Sequence, residues 1–194
     1  MNYRVDTVNG HRGMKDFLDL PYRVYHDDPD WVAPMRTEVS RVLDPSKNPY
    51  FRGADLRKFI CYGKDKPLAR AVSVINPALW NRNGSKTALF GFFESFPDES
   101  ACRQLFDAMA SYCRSRGAES FEGPYNPNHY SEIGLRTQGQ GPPVFFEPYN
   151  PVYYTELLIE TGFRAVKEMH TRYNPDVSGF LERSQPRNLA ALEA

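Results

Sequence analysis

A nearly continuous apolar strand that runs straight into an amphipathic helix is the feature that most constrains the fold of this chain. Residues 87–95 are mostly apolar, which is typical of a strand covered on both faces. The helix that follows carries an apolar stripe at helical spacing, formed by Cys102, Leu105, Phe106, Met109, Ala110 and Cys113. Gly117 marks its C-terminal end. The pattern predicts a central strand in a sheet whose face is covered by this helix.

The remaining periodicities build a sheet around this unit. They predict strands at 3–8, 56–62, 68–75, 118–122 and 163–173, and helices at 14–25, 35–43 and 153–161. Pro21 lies inside the first helix and is expected to kink or split it. The order predicts an α+β fold, with a mixed, mainly antiparallel central sheet flanked by helices. We expect residues 1–175 to form this domain and residues 176–194, which are mostly polar, to be a tail or connector.

The composition argues against several classes of function. The 24 basic residues equal the 24 acidic ones, so no overall field attracts nucleic acid or an anionic membrane. Three cysteines without Cys-x-x-Cys spacing, and four histidines without ligand spacing, argue against a disulfide framework and a metal site. No long apolar run or leader opens the chain, so we expect a cytoplasmic protein without a nucleic-acid or membrane partner.

One nine-residue segment occurs twice, at residues 124–132 and 148–156. Both copies begin with Pro-Tyr-Asn-Pro, in which the prolines restrict the backbone and the Asn can bond its own backbone. A third Tyr-Asn-Pro begins at Tyr173, and a stretch rich in Gly and Pro, residues 133–143, separates the two copies. The segments predict a rigid, aromatic-lined pocket wall. A structural turn used twice explains them equally well.

The candidate site residues come from this region. Glu132, near His129 and Tyr130, is a candidate general base, and Tyr149 is a second catalytic candidate, because proton transfer from an amine needs such groups. The candidate substrate-binding residues are Tyr125, Asn126, His129, Arg136, Asn150, Tyr153 and Tyr154. Arg136 is suited to hold a carboxylate, sulfate or phosphate. The structural alternatives are a solvated or capping role for Glu132, a surface position for Arg136 and core packing for about half of the aromatic rings.

The element order resembles the acyl-CoA N-acyltransferase (GNAT-type) superfamily, and particular residues are similar to an uncharacterised bacterial branch with two such domains in tandem. Those residues are Asp28-Pro29, Trp31-Val32, Pro34, Leu43-Asp44, Asn48 to Phe51, Gly91 to Glu94, Gly123-Pro124, Asn126-Pro127, Glu132, Gly134-Leu135, Pro142-Pro143, Pro148 to Pro151, Tyr153-Tyr154 and Gly162-Phe163. They span residues 17–173 and match the first, N-terminal domain. The resemblance implies a GNAT-like fold and group transfer to a small amine or amino-acid-derived metabolite.

One motif departs from the superfamily. Its R/Q-x-x-G-x-G/A sequence lies between the central strand and the long helix, where backbone N–H groups and the helix N-terminus hold the CoA pyrophosphate. Residues 93–100 contain no glycine here, include Pro97, and place Glu94, Asp98 and Glu99 at this junction. Ser95 is the expected helix cap. We therefore expect no usual acyl-CoA binding in this domain, and the cofactor stays unassigned.

Three functions of different classes remain open. The first is a degenerate GNAT-like subunit that works in group transfer with a partner, either a second GNAT-like chain or another copy of itself. The others are a stand-alone N-acyltransferase and a non-catalytic metabolite-binding domain. Sulfuryl transfer from a 3′-phosphoadenosine donor is a further chemical alternative. A partner is expected to cover residues 149–154 and the tail after Asp176.

Overall fold

The computed structural model describes residues 2–127, 132–139, 141–171 and 175–179. The strands are β1 (Tyr3–Thr7), β2 (Asp55–Gly63), β3 (Lys66–Ile75), β4 (Thr87–Ser95) and β5 (Ser120–Glu122). The helices are α1 (Gly10–Val24), α2 (Arg36–Val42), α3 (Pro77–Asn83), α4 (Glu99–Ser115) and α5 (Tyr154–Glu160), with a 3₁₀ turn at Pro49–Phe51. The described residues up to Phe163 form one compact unit, and those from Arg164 onward form another. The domain boundary at residue 175 stays a prediction.

The five strands form one sheet in the order β1-β2-β3-β4-β5. The pairs from β1 to β4 are antiparallel, and β5 runs parallel to β4. This arrangement confirms the predicted α+β fold with a mixed, mainly antiparallel sheet. β4 has strand partners on both sides only at its beginning, because β5 pairs with Thr87, Ala88 and Leu89 alone.

Helices cover both faces of the sheet. Most of the predicted stripe of α4, namely Cys102, Leu105, Phe106 and Met109, is buried against one face, where Ala69 and Ala71 of β3 lie. Phe17 of α1 packs with Val72 and Val74 on the other face, as the alternation of side chains along a strand requires. The core therefore has two layers, one on each side of β3 and β4.

Three local features differ from the sequence prediction. Pro21 does not split α1, which runs from Gly10 to Val24, and the Tyr25 N–H donates to the Pro21 carbonyl at 2.9 Å. α3 was not predicted, although Asn76 caps it, Pro77 begins it and Gly84 ends it in the left-handed conformation. The strand predicted at 163–173 is wrong over its described part, since residues 163–171 form neither strand nor helix.

Candidate functional site

The chain after β5 closes the gap that opens beside β4. β5 pairs with β4 only as far as Leu89, and the Tyr125 N–H then donates to the Phe90 carbonyl at 2.7 Å. The Phe92 N–H donates to the side-chain oxygen of Asn126 at 2.5 Å. A Cβ atom on Gly91 would overlap the Tyr125 carbonyl. Glycine at this position therefore lets the first copy of the repeat lie directly against β4.

The second copy of the repeat completes the same edge. The Ser95 N–H at the end of β4 donates to the Tyr154 hydroxyl at 2.8 Å, and the Tyr153 hydroxyl donates to the Ser95 carbonyl at 2.7 Å. Tyr154 is fully buried inside its own unit. It is therefore excluded from the partner face predicted at residues 149–154, in which Val152 is the exposed large apolar residue.

A charged pair lies beside these tyrosines, in which Arg70 is buried and Glu94 is partly buried. The Tyr154 hydroxyl donates to the Glu94 carboxylate at 2.8 Å, and the Arg70 guanidinium lies 3.8 Å from the other carboxylate oxygen. Burial raises the pKa of Glu94, while Arg70 and Tyr154 oppose that rise. Arg70 is itself buried, donates to the Phe17 carbonyl and has no hydrogen-bond partner at Nε. The Nε–H of Arg70 is thus a buried donor without an acceptor in the interior of the unit.

Glu94 is a candidate that local sequence patterns do not identify, because they place the residue only in the acidic β4–α4 junction. A signal was present, since Arg70 and Glu94 are charged residues inside otherwise apolar strand patterns. They are direct partners in the register of β3 and β4. Only the register shows that they form a pair.

A cleft of about 480 Å³ opens between the end of α1 and the start of α5. Its walls are residues 23–29, Phe96, Pro151 and Tyr153. Tyr25 lines this cleft, and its hydroxyl donates to the Tyr149 carbonyl at 3.4 Å. Burial and the nearby Glu94 carboxylate raise the pKa of Tyr25. Tyr153 also lines the cleft and bonds Ser95 at the end of β4.

Tyr149, Arg136 and Asn150 shape the loop that precedes α5. The Tyr149 hydroxyl donates to the Asp28 carboxylate at 2.8 Å, and the Arg136 guanidinium lies 4.3 Å from the centre of the Tyr149 ring. The buried Asn150 side chain accepts from the Arg136 N–H at 2.7 Å and donates to the Arg136 carbonyl at 3.2 Å. These contacts give all three residues structural partners beside the cleft.

Glu132 has a different set of partners. The Asn126 side chain donates to its carboxylate at 2.9 Å, and the Asn126 N–H donates to its carbonyl at 3.1 Å. Tyr125 packs partly buried against the core layer that holds Phe17, and that burial raises the pKa of Tyr125. His129 lies outside the described residues. The two predicted catalytic residues, Glu132 and Tyr149, thus belong to different hydrogen-bonded groups.

The N-terminus of α4 is occupied by a carboxylate from the chain itself. Asp98 accepts a hydrogen bond from the Ala101 N–H at 2.9 Å, and the Tyr3 hydroxyl donates to the same carboxylate at 3.0 Å. The prediction that Ser95 caps the helix is wrong, because Ser95 is buried and its hydroxyl donates to the Phe96 carbonyl at 2.6 Å. Glu99 pairs instead with Arg103 on the surface of α4.

The cysteines belong to the core. Cys61, Cys102 and Cys113 are free and buried, and burial raises the pKa of Cys61 and Cys102 to about 12. The described ranges hold no cluster of His, Cys, Asp or Glu that could bind a metal ion. Within those same ranges, no helix is long and apolar enough to cross a membrane.

Comparison with known sequences finds two distant relatives, and no family model matches the chain. Protein YghO of Escherichia coli is 27% identical over 135 residues, covering 70% of this chain and 34% of that protein. A bacterial ceramide synthase of Caulobacter vibrioides is 28% identical over 127 residues, covering 65% of this chain and 33% of that protein. The chain thus spans about a third of the length of the curated relatives it matches.

Comparison with solved structures identifies the fold. An aminoglycoside acetyltransferase from an uncultured soil metagenomic sample superposes with a TM-score of 0.51 at 11% identity, covering 89% of this chain and 94% of that one. The acetyltransferase AAC(6')-Iy, bound to a bisubstrate analogue of CoA, gives 0.52 at 11% identity and covers 90% and 99%. Glucosamine-6-phosphate N-acetyltransferase of Arabidopsis thaliana gives 0.50 at 9% identity and covers 89% and 99%. The chain has the GNAT acyltransferase fold.

Proposed function

We propose that this chain is a GNAT-like domain of an N-acyltransferase in which a second domain or partner chain binds the acyl donor. The observation that carries the proposal is the Asp98 carboxylate at the N-terminus of α4, held there by Ala101 and Tyr3. A phosphate at this helix end would lie beside that negative charge. At a separation of 4 Å near a protein surface, such repulsion costs about 4 kcal/mol.

The lengths of the relatives support a second domain. The chain aligns with about a third of each relative, so most of each relative lies outside the aligned part. A domain that does not bind the donor pyrophosphate can still shape the acceptor's side of a shared site. We assign the partner's role to a second GNAT-like domain or to another copy of this chain.

The ceramide synthase relative suggests the substrate class. A ceramide is the amide of a fatty acid with a long-chain amino alcohol. We assign to this chain an acceptor of that kind, which is an amine attached to a long hydrocarbon tail, and a fatty acyl thioester as the donor. The sequence led us to expect a small amine as the acceptor. The proposed acceptor is more specific, because it is an amphiphilic amine.

Glu94 is the group that we assign to proton transfer. An ammonium group must lose a proton before its nitrogen attacks the thioester carbon, after which the C–N bond forms, the C–S bond breaks and the thiolate leaves with a proton. Burial raises the pKa of Glu94, which is the direction that suits a carboxylate acting as a general base. Tyr25 lines the cleft near Glu94, and Glu132 and Tyr149 remain candidates with supporting roles.

The test is to assemble the chain with its second domain and to measure amide formation from a fatty acyl-CoA and a long-chain amino alcohol by mass spectrometry. Glu94→Gln should lower kcat by ~10²-fold or more, as expected for loss of a general base. Glu99→Gln is the matched control, because Glu99 is an exposed acid near the same junction that pairs with Arg103. Equal activity of the two variants, with equal folded fractions, would refute the role of Glu94.

A donor-binding test addresses the first part of the proposal. Calorimetric titration of the chain alone with acetyl-CoA should show no saturable heat. Micromolar affinity that is lost when residues 95–100 are substituted would show that the donor binds at the β4–α4 junction, contrary to our proposal.

A metabolite-binding domain is the second candidate function. The observation that favours it is the cleft of about 480 Å³, whose size lies within the range of small-molecule sites. The variants Glu94→Gln and Tyr25→Phe distinguish the two functions. If both variants acylate amines at the rate of the unaltered complex but no longer bind a ligand in the cleft, metabolite binding becomes the better account.

A further inference from the structure

A tip of three exposed apolar residues stands in the loop before α5. Val144, Phe145 and Phe146 have 61%, 82% and 62% of their surface exposed. The two phenylalanine rings contact each other, with centroids 4.0 Å apart. Val152, at the start of the following turn, is 90% exposed and lies between Pro151 and Tyr153, which both line the cleft. We call residues 144–146 the apolar tip.

Hydrogen bonds hold the loop on both sides of the apolar tip. The Glu147 N–H donates to the Val144 carbonyl at 3.0 Å, which closes the turn. Arg136 donates to the Gly141 carbonyl at 2.9 Å on one side, and Tyr149 bonds Asp28 on the other. Phe146 has a φ of 64°, a conformation that is strained for a bulky residue. The fold therefore keeps both rings in solvent at an energetic cost, and such strain commonly marks a functional segment.

We propose that the apolar tip, together with Val152, inserts into the surface of a lipid bilayer and brings the cleft to a membrane-dissolved substrate. This inference rests on the proposed function, in which the acceptor carries a long hydrocarbon tail. A substrate of that kind resides in a bilayer, and a domain that uses it needs a contact with the lipid surface. Because the exposed Val152 lies between Pro151 and Tyr153, which line the cleft, we assign that contact to the edge of the cleft.

The area of the tip fits a lipid surface better than a protein partner. With 82% and 62% exposure, the two phenylalanines offer on the order of 300 Å² of apolar surface, taking about 200 Å² for a whole ring side chain. A stable protein interface buries about 800 Å² on each partner. The tip is thus too small to carry a stable interface and large enough for shallow insertion.

The charge of the tip favours hydrocarbon over lipid headgroups. No charged residue occurs between Arg136 and Glu147, so the tip is electrically neutral. A neutral, apolar tip is suited to contact an uncharged, apolar medium. The sequence-based expectation of no membrane partner came from the balanced charge of the chain and its lack of a long apolar run, which argue against attraction to an anionic membrane and against a span. The proposed insertion replaces that expectation. Insertion by apolar side chains does not depend on that attraction, so we expect it to be independent of salt.

The test is flotation of the full chain with vesicles of dioleoylphosphatidylcholine at low salt and in 0.5 M salt. The chain should float in both conditions, and replacing Phe145 and Phe146 by Ser should lower the bound fraction at least tenfold. Ile159→Ser is the matched control, because Ile159 is 60% exposed but lies on α5, outside the tip. It should leave flotation unchanged. Phe145→Trp supplies an independent reading, since its emission should shift to the blue on vesicle addition.

Several outcomes would overturn the inference. Among them are the absence of flotation with an unchanged emission of the Phe145→Trp variant, and flotation that requires anionic lipid or disappears in high salt. If the chain does not bind vesicles, and the Phe145 and Phe146 substitutions abolish its binding to the second domain, the tip is a protein interface instead. Vesicle binding needs no acyl donor and no partner. If the chain does not bind vesicles but the assembled complex acylates the amine, the proposed function stands and this inference fails. Binding without any acylation would refute only that function.

Discussion

Backbone N–H groups at the β4–α4 junction and along the open edge of β4 both donate to side chains of this same chain. The acceptors differ in how far they lie from those N–H groups in the sequence. At the junction, the cap is Asp98, three residues before the N–H that it binds. At the edge, Asn126 lies 34 residues beyond the Phe92 N–H that it accepts from, and Tyr154 lies 59 residues beyond Ser95. The absence of a phosphate loop can therefore be predicted from neighbouring residues in the sequence. The residues that bond the open edge of β4 cannot be predicted in this way.

The most severe test of the edge is Gly91→Ala. The new methyl group would overlap the Tyr125 backbone carbonyl, and a backbone atom cannot move aside as a flexible side chain can. We expect a loss of about 3 kcal/mol in the free energy of unfolding. Gly13→Ala is the control, because a Cβ there makes only ordinary contacts in α1 and Ala favours a helix. Urea denaturation measures both, and equal stabilities would show that the first repeat does not pack against β4.

Tyr154→Phe tests the other end of the same edge. It removes the acceptor for the buried Ser95 N–H and the donor to Glu94, so we expect a loss of about 2 kcal/mol. Tyr153→Phe should cost about 1 kcal/mol, since it removes a single bond from a partly exposed ring. Thermal denaturation compares the two variants, and the reverse order would contradict the role assigned to Tyr154.

Asp98→Ala addresses the junction. Loss of the cap should reduce the free energy of unfolding by about 1 kcal/mol, and Asp98→Asn should retain most of it because an Asn side chain also accepts from the helix N–H groups. Chemical denaturation measures the stability, and calorimetry with acetyl-CoA measures the binding. If removal of this one carboxylate creates micromolar CoA binding, Asp98 alone prevents it, and the other differences from the phosphate motif matter little.

Tyr149→Phe should have the smallest effect. The hydroxyl bonds Asp28 beside the cleft and is partly exposed, so we expect a stability change of about 0.5 kcal/mol. Glu132→Gln should be similarly mild, because Glu132 is exposed. Activity of the assembled complex is measured with the melting temperature of each variant. A large loss of activity at unchanged stability would restore these two residues as catalytic and would move the site away from Glu94.

The fold itself was largely predictable from local patterns. The five described strands and the helices α1, α2, α4 and α5 follow from hydrophobic periodicity, because each must bury one face. α3 was overlooked although its Asn-Pro start and Gly end are visible in the sequence. The error at residues 163–171 has a different origin. Phe163 packs into the core beside α4 without joining the sheet, so an apolar residue was mistaken for the start of a strand.

Sequence patterns propose residues for the candidate site but do not give their arrangement. The repeat draws attention to Tyr153, Tyr154 and Asn126, but no local pattern indicates that they lie along one strand edge. Glu94 was separated from its partners for the same reason. Arg70 pairs with Glu94 through strand register, and Tyr154 reaches it from 60 residues away.

The sequence by itself determined that this chain folds as a mainly antiparallel α+β domain and lacks a glycine-rich phosphate loop, since both properties depend on neighbouring residues. The tertiary structure alone decided that Asp98 and Tyr3 occupy the helix end, that both repeat copies lie along β4, and that Glu94 lies beside the buried Arg70 and Tyr154. Burial and strand register bring together groups distant in sequence: burial raises the pKa of Glu94, and Arg70 and Tyr154 oppose that rise.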